Sequence, residues 1–148
     1  MKLGRITREQ AVGLLDDELM GRISERGSGE FDPAHTFLGI LVNGAPIGFW
    51  VVHKTSSSTL HIHIQIQYRH RAHAMDAGWL FAEYIFGGYP EIMRLECEVP
   101  HCYPDVIKYI LKFNFKSEGV KRKAIYRDGE LQDVQMLSLL RSEYNGRS

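Results

Sequence analysis

The stretch TFLGILVNGAPIGFWVVHK, beginning at Thr36, is two apolar runs joined at Asn43-Gly44. Asn-Gly between such runs is the strongest short-range signal for a tight β-hairpin, because both residues accept positive φ. TLHIHIQIQY follows from Thr59, placing Leu60, Ile62, Ile64 and Ile66 on one face and His61, His63, Gln65 and Gln67 on the other. Strict alternation implies a sheet with one apolar and one polar face, so three antiparallel strands are expected in succession.

The flanking segments add helices and further strands. Thr7 can cap a helix with Gln10 at the capping-box position, and Ala11, Leu14, Leu15, Leu19 and Ile23 follow at helical spacing, so the helix is expected to end near Ile23. Ala74, Ala77, Leu80, Phe81, Tyr84 and Ile85 form a second helical stripe, ended by Gly87-Gly88 and Pro90. IMRLECEV reads as a strand with Met93, Leu95, Cys97 and Val99 on one face. PDVIKYILKF reads as a helix with Pro104 near its first turn and Val106, Ile107, Ile110 and Leu111 as its apolar set. The remainder, SEGVKRKAIYRDGELQDVQMLSLL, is two strands around Asp128-Gly129. The fold class is therefore α+β: a mixed, mostly antiparallel sheet of about six strands flanked by three or four helices, with a right-handed crossover between parallel strands at its centre. One domain over residues 1–148 accommodates all of it.

Eighteen basic and eighteen acidic side chains cancel, which gives no support for wholesale binding to nucleic acid or a membrane surface. No apolar run approaches the roughly 20 residues of a membrane-spanning helix, and MKLGRITREQ lacks an apolar signal core, so a soluble, cytoplasmic protein is expected. Cys97 and Cys102 are too few for a disulfide scaffold and read as reduced structural thiols. His61 and His63 share a strand face and could bind zinc with His70 or His73, but no Cys or Asp completes a ligand set, and no metal is expected.

The order of these elements, with several short motifs, resembles the GNAT superfamily of acyl-coenzyme A-dependent N-acyltransferases, and most closely its RimJ/RimL-type group. The motifs are the aromatic triplet Tyr84-Ile85-Phe86, the strand opening Arg94-Leu95, KFNFKSEG, and a tail in which Arg122, Asp128, Gly129, Asp133, Leu139, Leu140 and Glu143 stand in step. The resemblance implies a parallel, splayed strand pair with acetyl-CoA as cosubstrate and an amine as acceptor.

Within it the pyrophosphate loop Q/R-x-x-G-x-G/A falls on Arg69, Ala72 and Ala74, and the cofactor-binding set it implies is Gln67, Arg69, His70, Arg71, Ala72, His73 and Ala74. The chemistry needs backbone N–H groups converging on phosphate at a helix start. Alanine keeps the N–H, and its Cβ is tolerable where φ is negative. Basic side chains there could pair with the phosphates. Where the group has an Asn and a Ser in its second helix this chain has Tyr103 and Val106, and the general-acid tyrosine position falls on Ile110, with Tyr109 about 100° away around the helix. Amine acylation needs a base; the candidates are Glu98 and His101 near the fourth strand's end, and His63 on the third. Three readings stay open: an N-acetyltransferase acting on a protein N-terminus, lysine or small amine; a catalytically silent GNAT-like protein that binds another protein, as in phage virion (head) assembly; and an acyl-CoA sensor without turnover.

Overall fold

The computed structural model describes residues 1–15 and 35–146. Its strands are β1 (Lys2–Arg5), β2 (Thr36–Val42), β3 (Ala45–Lys54), β4 (Thr59–Ile66), β5 (Arg94–Pro100), β6 (Lys116–Arg127) and β7 (Glu130–Leu140). The helices among the described residues are α1 (Arg8–Gly13), α2 (Ala74–Gly88) and α3 (Pro104–Leu111), and 3-10 segments cover Tyr68–His73 and Arg141–Glu143. All seven strands form one sheet in the order β1-β2-β3-β4-β5-β7-β6, antiparallel except for the parallel β4–β5 pair.

Local signals act as their chemistry requires. Asn43 and Gly44 take φ of 52° and 80° at the β2–β3 turn, and Asp128 and Gly129 take 54° and 79° at the β6–β7 turn. At α1 the Thr7 amide donates to Gln10 Oε1 at 2.8 Å and the Gln10 amide to Thr7 Oγ1 at 3.1 Å, a complete capping box.

Four expectations need correction. Among the described residues the sheet has seven strands, one beyond the six read from sequence, because Lys2–Arg5 pairs antiparallel with Leu38–Leu41. Helix α1 stops at Gly13, with Leu14 and Leu15 closing it by bonds to Ala11 O and Val12 O; Leu19 and Ile23 lie outside the described residues. Met93 precedes β5 and is exposed, and its carbonyl accepts from the Arg141 amide in the turn into the strand. Leu111, in the last turn of α3, faces solvent, leaving Ile110 as the buried anchor.

Two apolar layers result. The larger packs α2 and α3 on one face of the sheet through Trp50, Ile62, Phe81, Leu95, Phe113 and Leu137. A smaller one on the opposite face joins Ala11 to Phe37, Phe49 and Val51. The run FWVV in β3 thus feeds both faces, which is why it does not alternate. Helix α2 packs closely at Gly78 against the turn that follows α3, where a Cβ would lie 2.1 Å from Phe113 Cζ. Phe113 cannot swing away freely, being edge-on to both Trp79 and Tyr109. Gly78→Ala should therefore destabilise by about 1–3 kcal/mol through overpacking, although alanine is the better helix former by about 1 kcal/mol. Urea unfolding checks this, and an unchanged or raised midpoint would show that the ring yields.

Candidate functional site at the β4–β5 fork

Strands β4 and β5 pair only from Thr59–Arg94 to His61–Glu96. Beyond that each follows its antiparallel neighbour, β4 staying with β3 as far as Ile66–Gly48 and β5 with β7 as far as Pro100–Val134. The parallel pair is therefore splayed, as the resemblance implied. A cavity of about 180 Å³ occupies the fork. Trp50, Ile62, Ile64, Cys97, Val99 and Ile110 make its apolar wall, while His63 and Gln65 on β4 and Glu98 on β5 belong to the opposite face.

The segment that should cradle a diphosphate has a definite form. Tyr68–His73 is a 3-10 helix running directly into α2, and no residue from 68 to 74 has positive φ, so the methyl groups of Ala72 and Ala74 are conformationally tolerated. The amides, however, are engaged within the chain: His70 N–H donates to Gln67 O at 2.9 Å and Ala74 N–H to Arg71 O. In a 3-10 helix side chains at i and i+3 eclipse one another, and Tyr68, Arg71 and Ala74, spaced by three, are the ones that line the cavity. Gln67, Arg69, His70, Ala72 and His73 do not. Gln67 instead donates from Nε2 to Leu14 O at 2.8 Å, and Arg69 Nε donates to Gln67 Oε1 at 3.0 Å, which ties the end of β4 to α1. Arg71 lies over the Tyr68 ring at 4.8 Å and pairs with Asp105 at 3.5 Å.

The two proposed bases separate. Glu98 lines the fork, with Oε1 accepting from Lys121 Nζ at 2.8 Å. His101 lies outside the cavity in the exposed turn after β5, its Nε2 at 3.2 Å from Gln135 Oε1. Its backbone N–H donates to Asp133 O, which fixes it as a turn residue.

His63 is the better placed imidazole. Burial first, then the positive charge that His61, His35 and His53 would carry, push its pKa from 6.5 to about 3. His63 is nonetheless a solvent-exposed residue, so burial contributes less than the size of that shift implies, and the downward direction rests on repulsion from the three neighbouring imidazoles. These histidines are a row crossing the sheet: the His35 and His53 rings are 5.1 Å apart, His53 and His61 6.0 Å, and His61 and His63 5.0 Å. The row ends at Glu96, 3.4 Å from His61 Nδ1. Burial works against Glu96 ionising, but bonds from Arg94 and His61 prevail and lower its pKa. Among the described residues no group of three or more His, Cys, Asp or Glu is arranged to hold a metal ion.

Three further residues at the fork lie outside the site set that the sequence implied. Tyr109 lines the cavity beside Ile110 and donates from its hydroxyl to Ala74 O at 2.6 Å; burial raises its pKa, so it stays protonated. Tyr103, in the position of the group's Asn, also lines the wall. Trp50, read from sequence as a core or rim aromatic, stacks on Phe81 at 4.2 Å and has Nε1 buried with no hydrogen-bond partner among the described residues. Burial pushes the Cys97 thiol up to about 12, which keeps it neutral in the wall.

No protein-family model matches the sequence, and no curated protein matches it by sequence. Solved structures do match. The spermidine N-acetyltransferase from Vibrio cholerae, solved in complex with CoA and spermine, superposes with a TM-score of 0.82 at 16% identity over 97% of this chain and 96% of that one. A chimeric spermidine N-acetyltransferase from Vibrio cholerae and hSSAT gives 0.81 at 17% over 99% and 98%. A mixed seven-stranded sheet whose parallel pair opens into a fork, superposing over nearly the whole length of acetyltransferases at so low an identity, gives the chain the GNAT fold.

Proposed function

We propose that this chain is an N-acetyltransferase using acetyl-CoA as cosubstrate and a primary amine as acceptor, acting at the β4–β5 fork. The observation that carries the reading is the fork itself, open and holding a cavity of about 180 Å³ rather than filled by side chains. The structurally similar enzyme solved with CoA and spermine supports it. Acetyl-CoA brings a thioester activated towards amines. The apolar wall suits its thiol-bearing arm, and Arg71 is the cation placed to pair with phosphate. The stretch of β4 beyond His61, having lost β5 as its partner, offers amides to polarise a carbonyl. The amine enters on the face bearing His63, Gln65 and Glu98 and its nitrogen attacks the thioester carbon; as the C–N bond forms and the C–S bond breaks, neutral His63 takes the proton the nitrogen loses and the CoA thiolate leaves. RimJ/RimL-type specificity for protein N-termini is one acceptor choice within this reading.

A second reading has its own support. With the His70 and Ala74 amides taken by carbonyls and Glu98 held by Lys121, the same chain suits a silent binding role such as virion assembly. Calorimetric titration with acetyl-CoA separates the two. The enzyme reading expects saturable binding that weakens about tenfold on Arg71→Ala, as for loss of one charged contact, and is unchanged on Arg69→Ala. Thiol release with amines then distinguishes turnover from sensing. Absence of binding at millimolar ligand transfers the case to the silent role.

A further inference from the structure

A second cavity, of about 240 Å³, lies where the C-terminal part of α2 crosses β1 to β4, and among the described residues it shares no lining residue with the fork. Its walls are apolar where they meet the sheet, through Leu38, Val52, Leu60 and Ile85. Its rim is polar, carrying Arg5, Thr36, His53, Lys54, Tyr84, Tyr89 and Glu91. Arg5 and Lys54 stand at it, and neither makes an ion pair with a carboxylate among the described residues. The Tyr84 and Tyr89 hydroxyls are 3.4 Å apart. Two hydroxyls that share one hydrogen bond keep a second O–H to donate. Their mutual bond, then burial, raises the pKa of Tyr84, while Arg5 is near enough to act against that rise. Among the described residues Glu91 is the single carboxylate at the cavity, against two cations.

Size and charge together select a ligand. A dry apolar cavity of about 150 Å³ accepts benzene, and this one is larger, with cations and a hydroxyl donor added to its apolar wall. We propose that it is a binding site for an aryl carboxylate, the ring against Val52, Leu60 and Ile85 and the carboxylate between Arg5 and Lys54 with a tyrosine O–H as third donor. A guanidinium and an ammonium suit one carboxylate, and convergent polar groups over an apolar wall are the usual form of a small-molecule site. A cationic aryl amine of the same size would meet both cations and be rejected.

Phenylacetate is the probe, with benzylamine and phenylacetamide as cationic and neutral controls, each followed by ligand-detected NMR and thermal shift on the full chain. Phenylacetate should saturate at one site, and benzylamine should bind at least about tenfold more weakly. Arg5→Gln with Lys54→Gln should weaken phenylacetate about tenfold or more without moving the unliganded Tm, because neither side chain carries a structural ion pair among the described residues. Arg5→Lys, which keeps the charge, should restore most of the affinity and covers the case in which the double variant is poorly folded. Failure of phenylacetate to saturate, benzylamine binding equally well, or a folded double variant binding like the parent would each overturn the proposal.

Discussion

His63→Gln should lower kcat for amine acetylation by roughly 10²-fold, the low end of the range for removing a positioned general base because its lowered pKa weakens it, and leave the KM for acetyl-CoA unchanged. Of the three candidate bases, His101 lies outside the fork and Glu98 is engaged by Lys121 at 2.8 Å. His63 lines the fork with its pKa lowered, so its ring nitrogen is unprotonated at pH 7, and the same lowering makes it a weaker base than an ordinary imidazole, suited to the acidified nitrogen formed on attack rather than to a free ammonium. Glu98 sits on the opposing strand of the same fork, where its carboxylate would stabilise the imidazolium formed. Glu98→Gln should thus cost less than His63→Gln, and the reverse order would transfer the base role to Glu98. A second readout concerns stability. The folded-state pKa of His63 lies below the unfolded value near 6.5, so above pH 6.5 the group is neutral in both states and contributes nothing. As pH falls from 6.5 towards 3 the unfolded chain takes up the proton first and stability is lost. His63→Gln should therefore show a smaller drop in Tm between pH 7 and pH 5 than the parent, and an equal drop would mean that the imidazole is not held neutral.

What the sequence reveals here divides along physical lines. Period-two alternation in β4, the Asn43-Gly44 and Asp128-Gly129 turns and the Thr7–Gln10 capping box are set by nearest neighbours, and all are present. Strand β1 escapes because four residues, KLGR, with Leu3 as the one large apolar side chain, carry no period; its pairing with β2 is decided across a long stretch of chain. At the site, the loop position was readable but not its helical pitch. A residue alignment weights Arg69 and Ala72, whereas three residues per turn brings Tyr68, Arg71 and Ala74 to the cavity. The imidazole row is similarly hidden, since His35, His53, His61 and Glu96 come from separate segments and become neighbours only once the registers of β3, β4 and β5 are known. Tyr109 is reached neither by alignment nor by the 100° argument, because α3 lies across the fork and turns both Ile110 and Tyr109 to it.

The largest stability effect is expected at Arg141→Met, a residue that no motif marks as functional. Its guanidinium donates to three carbonyls that end α2 and lead into β5: Phe86 O at 2.8 Å, Tyr89 O at 2.7 Å and Ile92 O at 2.7 Å. The same group lies over the Phe86 ring at 5.0 Å, and the Arg141 amide donates to Met93 O. A helix C-terminus attracts a cation, and planar guanidinium can reach several carbonyls at once where a lysine ammonium on a flexible stem cannot. Charge-assisted bonds contribute about 1.5–3 kcal/mol each. Solvent can satisfy part of what is lost at exposed Tyr89, so the net cost should be about 3–5 kcal/mol, a fall in Tm of roughly 6–20 °C for a chain of this size. Arg141→Lys should recover less than half. The bonds also decide where α2 stops, and α2 begins at Ala74 on the fork, whose carbonyl accepts from Tyr109. Loosening its far end should then weaken ligand binding at the fork in the same variant, measured below its lowered Tm. A variant that loses stability yet binds acetyl-CoA like the parent would show that the fork is positioned by β3, β4 and β5 alone.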